Sequence, residues 1–237
     1  MTPNTAMVLA AGLGTRMRPL TNDRPKALVE VGGRALIDHM LDRLRDAGVS
    51  RVVVNVHAFA DMLEAHLAQR RDLSVTMSDE RARLMETGGG VKQARDLLGD
   101  APILVANIDS VWEEPAGSAI ARLCAAPPAP GSARLMLAAM DQCLGFDGAG
   151  DFHMDALQRL RFRDDDPSAP WAYTGVQIID PAILDAEPLE PFSFTRVWRR
   201  LAAQGLLCGE PLGGFWMHVG DPEARAAAEA RLAGRPA

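Results

Sequence analysis

Cysteine is scarce in this 237-residue chain: there are three, Cys124, Cys143 and Cys208. The count is odd and the spacing wide, which excludes a disulfide framework, and no Cys/His spacing resembles a zinc site. Reduced, structural thiols are expected. No apolar run approaches the ~18 residues of a membrane span, and the N-terminus lacks a basic stretch followed by an apolar core. Neither membrane insertion nor secretion is expected, and the cytoplasm is the expected compartment. Basic charge is also in deficit, with 25 Lys and Arg against 31 Asp and Glu and a net charge of −6. General nucleic-acid binding wants a basic surface and is excluded, whereas a local basic site can still hold a phosphorylated small molecule. There is no internal repeat, and in particular no hexapeptide series of the kind that builds a β-helix. Two common phosphate loops are missing as well. The dinucleotide fingerprint needs a third glycine where Met17 stands, and no Gly-Lys-Ser/Thr tripeptide marks a P-loop.

What is present fits one α/β domain with a buried core, at 48% hydrophobic and 24% charged residues. Leu36, Ile37, Met40, Leu41 and Leu44 recur at three- and four-residue steps and predict a helix over 34–47, closed by Gly48. Helices are likewise expected over 61–70, 90–98, 195–204 and 222–232. Strands are expected over 52–56, 73–77, 103–106, 134–140, 157–162 and 172–179. The prolines of 125–131 mark a surface loop, and the acidic stretch 164–170 a solvated turn. This rhythm predicts a doubly wound, mainly parallel, Rossmann-like sheet with its ligand at the carboxyl ends of the strands. Gly12 and Asp109 both lie just past such ends.

The most informative segment is Leu9 to Lys26. Gly12-Leu13-Gly14-Thr15-Arg16 follows an apolar run, and Pro25-Lys26 comes ten residues later. Glycines let backbone N–H groups approach an anion, and Arg16 and Lys26 add a planar fork and a mobile point charge. The segment reads as a triphosphate clamp. Asn107-Ile108-Asp109 ends a strand facing it, where a carboxylate would suit the cation that accompanies a triphosphate. Glu86-Thr-Gly-Gly-Gly90 reads as a glycine-rich turn between strand and helix. Tyr173-Thr174-Gly175 enters a strand, and Phe215 to Pro222 carries His218 and Asp221. Asp221 is expected to cap the last helix, with Pro222 at its first position.

The Leu9–Lys26 string resembles the signature of the sugar-phosphate nucleotidyltransferases, and the resemblance extends over nearly the whole chain. It implies the fold of that family without a C-terminal β-helix, as a single domain over 1–237. A nucleotide-binding half would cover about 6–115 and a sugar-phosphate half about 116–237. It further implies that Ala10, Ala11, Gly12, Gly14 and Thr15 cradle the triphosphate while Arg16 and Lys26 stabilise its charge. Glu86, Gly88, Gly89 and Asn107 would meet the nucleotide, and Tyr173, Thr174 and Gly175 the sugar, in a pocket near Trp112. Asp109 would bind the metal, Mg²⁺, although the family usually has glycine where Ile108 stands.

The family's second metal-binding Asp is replaced by His218, which suits Mn²⁺ or another softer ion better. The usual Val-Glu-Lys-Pro segment is absent, and Arg159, Arg161 and Arg163 occupy its region. The wording Glu-Thr-Gly-Gly-Gly resembles the branch that joins UTP to N-acetylmuramate 1-phosphate in cell-wall recycling. The partners implied are a nucleoside triphosphate and a sugar 1-phosphate, with no nucleic acid or membrane; no oligomeric state is implied. Other readings of the same clamp are a mannose- or heptose-1-phosphate guanylyltransferase, a glucose-1-phosphate thymidylyl or uridylyl enzyme, and a non-catalytic nucleotide-binding module.

Overall fold

The computed structural model describes residues 3–114 and 118–234. The chain opens with β1 (Thr5–Leu9), the short pair β2 (Glu30–Val31) and β3 (Arg34–Ala35), then α1 (Leu36–Asp46) and β4 (Arg51–Val56). There follow α2 (Ala60–Leu67), β5 (Ser74–Asp79), α3 (Glu86–Gln93), α4 (Arg95–Leu98), β6 (Ile103–Asn107) and β7 (Ser110–Glu113). The middle holds α5 (Ala119–Ala125), β8 (Ala133–Ala139), β9 (Cys143–Leu144), β10 (Phe152–Met154) and β11 (Leu160–Phe162). The chain ends with β12 (Trp171–Ile179), α6 (Thr195–Ala203), β13 (Leu207–Pro211), β14 (Phe215–His218) and α7 (Pro222–Ala233).

Strands β5, β4, β1 and β6 lie side by side in parallel, as apolar, β-branched strands joined by helices should. The same sheet then changes direction. β12 joins β6 antiparallel, pairing Val176 with Ala106, and brings in β8, β10 and β11 to complete nine strands with β13. The sheet is therefore mixed, parallel in its first half and largely antiparallel in its second. Its strands cross the line expected between the two halves; the boundary itself, at 115–116, lies outside the described residues.

Alternate side chains of each central strand feed opposite faces. Ala6, Val8, Val52 and Val54 pack with Leu36, Ile37, Met40, Leu41 and Leu44 of α1. Met7, Val53 and Val105 pack with Val91 of α3 and with Val197, Trp198 and Leu201 of α6. That two-faced cover makes the fold doubly wound. All three cysteines are free thiols, and burial pushes those of Cys124 and Cys143 up to about 11. Among the described residues, no helix is long and apolar enough to cross a membrane.

A second, three-stranded sheet positions the far side of the site. β7 begins one residue after Asp109 and pairs antiparallel with β14, so that His218 stands opposite Ser110. The Val219 N–H donates to the Asp109 carbonyl at 2.8 Å. Asp109 and His218, 109 positions apart in sequence, are thereby fixed as neighbours. The Asp221 side chain accepts from the Ala224 N–H at 2.8 Å, and Pro222 opens α7, as read from the sequence.

Candidate active site

The loop after β1 turns on Gly14, which takes a left-handed conformation at φ 61°. Its carbonyl accepts from the Met17 N–H at 2.9 Å and from the Thr21 hydroxyl at 2.8 Å. A Cβ at this position would stand 3.0 Å from the Lys26 Cβ and 3.1 Å from Thr21 Cγ2, so both backbone and space demand glycine. Gly12 differs: a Cβ there would meet nothing within 4 Å, because the residue faces an open cleft. The cleft, of about 290 Å³, is lined by Ala10 to Gly12, Gly14 to Arg16, Lys26, Asn107 and Asp109 on one side, and by Leu84, Glu86 and Thr87 on the other. Arg16 is exposed and has no hydrogen-bond or ion-pair partner among the described residues.

Lys26, nearly buried on a single 3-10 turn, reaches across to the strand end. Its ammonium donates to Asp109 Oδ2 at 2.7 Å. The sequence reading assigned these two groups to different partners and did not anticipate that they would neutralise each other. Burial pushes the Asp109 carboxyl up, but Lys26 and then His218 outweigh it and hold the group below the usual carboxylate range. Burial lowers the His218 imidazole, and Lys26 and Arg16 act in the same direction against Asp109, so the ring gives up its proton more readily than an ordinary imidazole. A Cβ on Gly220 would come within 2.7 Å of His218 Nε2, which makes Gly220 the residue that leaves room for the ring.

No group of three His, Cys, Asp or Glu side chains that could hold a metal occurs among the described residues. A hard cation in the cleft would therefore take few protein ligands and fill its other positions with substrate phosphate and water, a mode that suits Mg²⁺. Asp109 fits that mode: Lys26 occupies one of its oxygens, and its side chain is 21% exposed.

Several expected contacts are corrected. The Ala10 and Ala11 N–H groups both donate to Asn55 Oδ1, at 2.6 and 3.2 Å, so these residues line the cleft but their amides are taken. The glycines of 86–90 are not a turn but the first turns of α3, and Gly88 and Gly89 do not line the cleft. Both donate their N–H groups to the Phe192 carbonyl, and a Cβ would lie 2.3 Å from the Phe192 ring at Gly88 and 2.4 Å from the Glu190 carbonyl at Gly89. They are glycine so that the 190–192 segment can lie against the helix. Glu86 does line the cleft, at φ 59°.

A family model described as nucleotidyl transferase matches residues 5–137, which span the clamp, the α3 glycines and Asp109. The chain belongs to the nucleotidyl transferase family. It is 56% identical over 236 residues to the N-acetylmuramate alpha-1-phosphate uridylyltransferase of Caulobacter vibrioides, covering 98% of both chains. It is 29% identical to a probable mannose-1-phosphate guanylyltransferase of Oryza sativa, covering 92% of this chain and 61% of that one. Its fold matches that of UDP-glucose pyrophosphorylase from Acinetobacter baumannii at a TM-score of 0.78 and 18% identity, over 97% and 93% of the two chains.

On the side expected to take the sugar, the nucleotidyltransferase departs from its sequence reading. Thr174 is fully buried and spends its hydroxyl on the Met136 carbonyl at 2.9 Å. Trp112 is also in the core, with the Arg43 guanidinium 4.2 Å above its ring. Gly175 has φ 87° where β12 bulges, and a Cβ there would lie 3.1 Å from that of Asn107, so this glycine makes space for a residue that lines the cleft. Tyr173 remains available. Its phenol is raised by burial and by Asp109, and it borders a second hollow with Phe146, Phe152, Phe162 and Trp198. Of the arginines considered for phosphate, Arg159 pairs with Asp155 and Arg161 with Asp166. Arg163 donates to the Gly150 and Asp166 carbonyls.

Proposed function

We propose that this nucleotidyltransferase moves a uridylyl group from UTP to N-acetylmuramate α-1-phosphate and releases pyrophosphate, in the cytoplasm where UTP is made. The observation that carries the substrate pair is the 56% identity to the Caulobacter vibrioides uridylyltransferase, which runs over 98% of both chains. The reaction is an in-line displacement. A phosphate oxygen of the sugar 1-phosphate attacks the α-phosphorus of UTP, the bond to the α,β-bridging oxygen breaks, and pyrophosphate leaves with the electron pair. The nucleophile is already an anion, so no general base is required, and catalysis comes from positioning and charge neutralisation.

In this reading the N–H groups beyond Ala11 face the phosphates from the Gly12–Thr15 loop, and Arg16 closes over them as the unpaired cation. Lys26 exchanges part of its contact with Asp109 for a triphosphate oxygen. Asp109, with His218 beside it, would hold a divalent ion, Mg²⁺ or Mn²⁺, which would supply positive charge to offset that of the phosphates. Glu86, Thr87 and Asn107 shape the base and ribose side. Tyr173 and Gly175 border the sugar.

The test is pyrophosphate release from UTP, GTP, dTTP, CTP and ATP against N-acetylmuramate, N-acetylglucosamine, glucose and mannose 1-phosphates, in Mg²⁺, in Mn²⁺ and after chelation. Turnover confined to UTP with N-acetylmuramate 1-phosphate, and lost on chelation, is expected. A GTP–mannose signal would transfer the assignment to the guanylyltransferases. Nucleotide binding without turnover would leave a non-catalytic module.

A further inference from the structure

Two polar side chains absent from the sequence reading meet at the floor of the cleft, Asn55 lining it and Glu80 behind Asn55. Asn55 interrupts the apolar run of β4 and is 3% exposed, and Glu80, just after β5, is 1% exposed. A buried carboxylate is tolerated when its oxygens accept hydrogen bonds, and both of these do. Oε1 accepts from Asn55 Nδ2 at 2.7 Å and Oε2 from the Met85 N–H at 2.9 Å. With both carboxyl oxygens acting as acceptors, Glu80 sets the orientation of the Asn55 amide: NH₂ toward Glu80, carbonyl oxygen toward the loop after β1. That oxygen receives the N–H groups of Ala10 and Ala11. Gly90 supplies the room, since a Cβ there would stand 2.8 Å from Glu80 Oε1 and 3.0 Å from Asn55 Nδ2.

We propose that Glu80 is a positioning residue that ties the two walls of the nucleotide cleft to each other. One wall is the phosphate loop, held at its start through Asn55; the other is the Leu84–Thr87 wall, held at the Met85 N–H. Glu80 itself is not among the residues lining the cleft. It acts on the nucleotide only through the geometry it imposes, and among the described residues its hydrogen bonds run to Asn55, Val56, His57, Arg83 and Met85, all in the first half of the chain. The inference rests on the nucleotide occupying this cleft, as proposed above, and not on which sugar is used.

The hydrogen-bond polarity supplies the test. In Glu80→Gln, keeping Met85 satisfied turns an NH₂ toward Asn55, which must flip and aim its own NH₂ at two N–H donors. In Asn55→Asp, two carboxylates face each other. In the double variant Asn55→Asp/Glu80→Gln every donor again has an acceptor: Asp at 55 receives Ala10, Ala11 and the Gln amide, and the Gln oxygen receives Met85. Three quantities are measured: amide hydrogen exchange at Ala10 and Ala11 in the ligand-free protein, UTP affinity by calorimetry, and KM for N-acetylmuramate α-1-phosphate. Each single variant should speed exchange and weaken UTP binding by about tenfold or more, with the sugar-phosphate KM within about twofold of wild type. The double variant should return all three to near wild type.

Wild-type exchange and UTP affinity in Glu80→Gln would overturn the proposal, as would a double variant no better than the singles. If the single variants do not fold, the double variant decides, and an unfolded or weakly binding double counts against the proposal. Hydrogen exchange needs no substrate, so a wild-type enzyme that does not use N-acetylmuramate 1-phosphate refutes the substrate assignment and leaves this test intact.

Discussion

Lys26 and Asp109 come from opposite ends of the nucleotide half and meet at 2.7 Å. Leaving either alone strands a mostly buried charge, so the pair supports the fold as well as the site. Lys26→Ala should lower kcat/KM by roughly 100-fold, a loss of about 3 kcal/mol of transition-state stabilisation, measured by steady-state pyrophosphate release. Near-normal turnover would remove Lys26 from charge neutralisation. The stability effect has a defined pH sign. Asp109 titrates in the folded protein below its ordinary 3.8, so the pair contributes fully above that value and its contribution fades as pH falls through the folded one. Urea titrations between about pH 5 and 3 should therefore show Lys26→Ala converging on wild type at the acid end. A gap that stays constant with pH would mean the substitution acts through packing alone.

At the scale of elements, glycine has three uses in this site, and its one-letter code does not distinguish them. Gly14 takes a positive φ, Gly12 faces the open cleft, and Gly88 and Gly89 let a neighbouring segment lie against a helix. The packing role of Gly88 and Gly89 was not legible, because their partner, the 190–192 segment, is a hundred residues away and no local pattern announces it. Asn55 had a usable signal: it is the one polar residue in Val52-Val-Val-Asn-Val56, and a buried amide must be bonded to something.

Strand positions were legible from β-branched runs, but periodicity carries no direction, so the antiparallel entry of β12 was not. A pair of alanine variants separates the uses of glycine. Gly89→Ala forces a Cβ against backbone and should lower unfolding free energy by about 1–3 kcal/mol. Gly12→Ala meets no protein atom, so its thermal midpoint should match wild type while UTP affinity falls. The reverse pattern, a destabilised Gly12→Ala with normal UTP affinity, would place the phosphate elsewhere.

At the scale of the whole molecule, the two halves named from the resemblance share one sheet and the cores on both of its faces. Ile103, Leu104, Val105 and Ala106 of β6 are at most 1% exposed, and the β12 strand that covers their edge comes from the second half. The face carrying Met7, Val53 and Val105 is roofed by Phe194, Val197, Trp198 and Leu201, again from the second half. A chain ended after Glu114 would bare that face and leave the β6 backbone groups that pair with β12 without partners, and neither loss can be repaired locally.

We therefore expect the full chain to unfold in one transition, with far-UV circular dichroism and the fluorescence of Trp112, Trp171, Trp198 and Trp216 changing together. The 1–114 fragment should show no cooperative melt. Two separated transitions, or a fragment that melts cooperatively, would mean that the nucleotide half is an independent folding unit and that the shared sheet assembles afterwards. A single transition would tie the clamp to the sugar side energetically, because no variant could loosen β12 without also loosening the strand that ends at Asn107 and leads directly into Asp109.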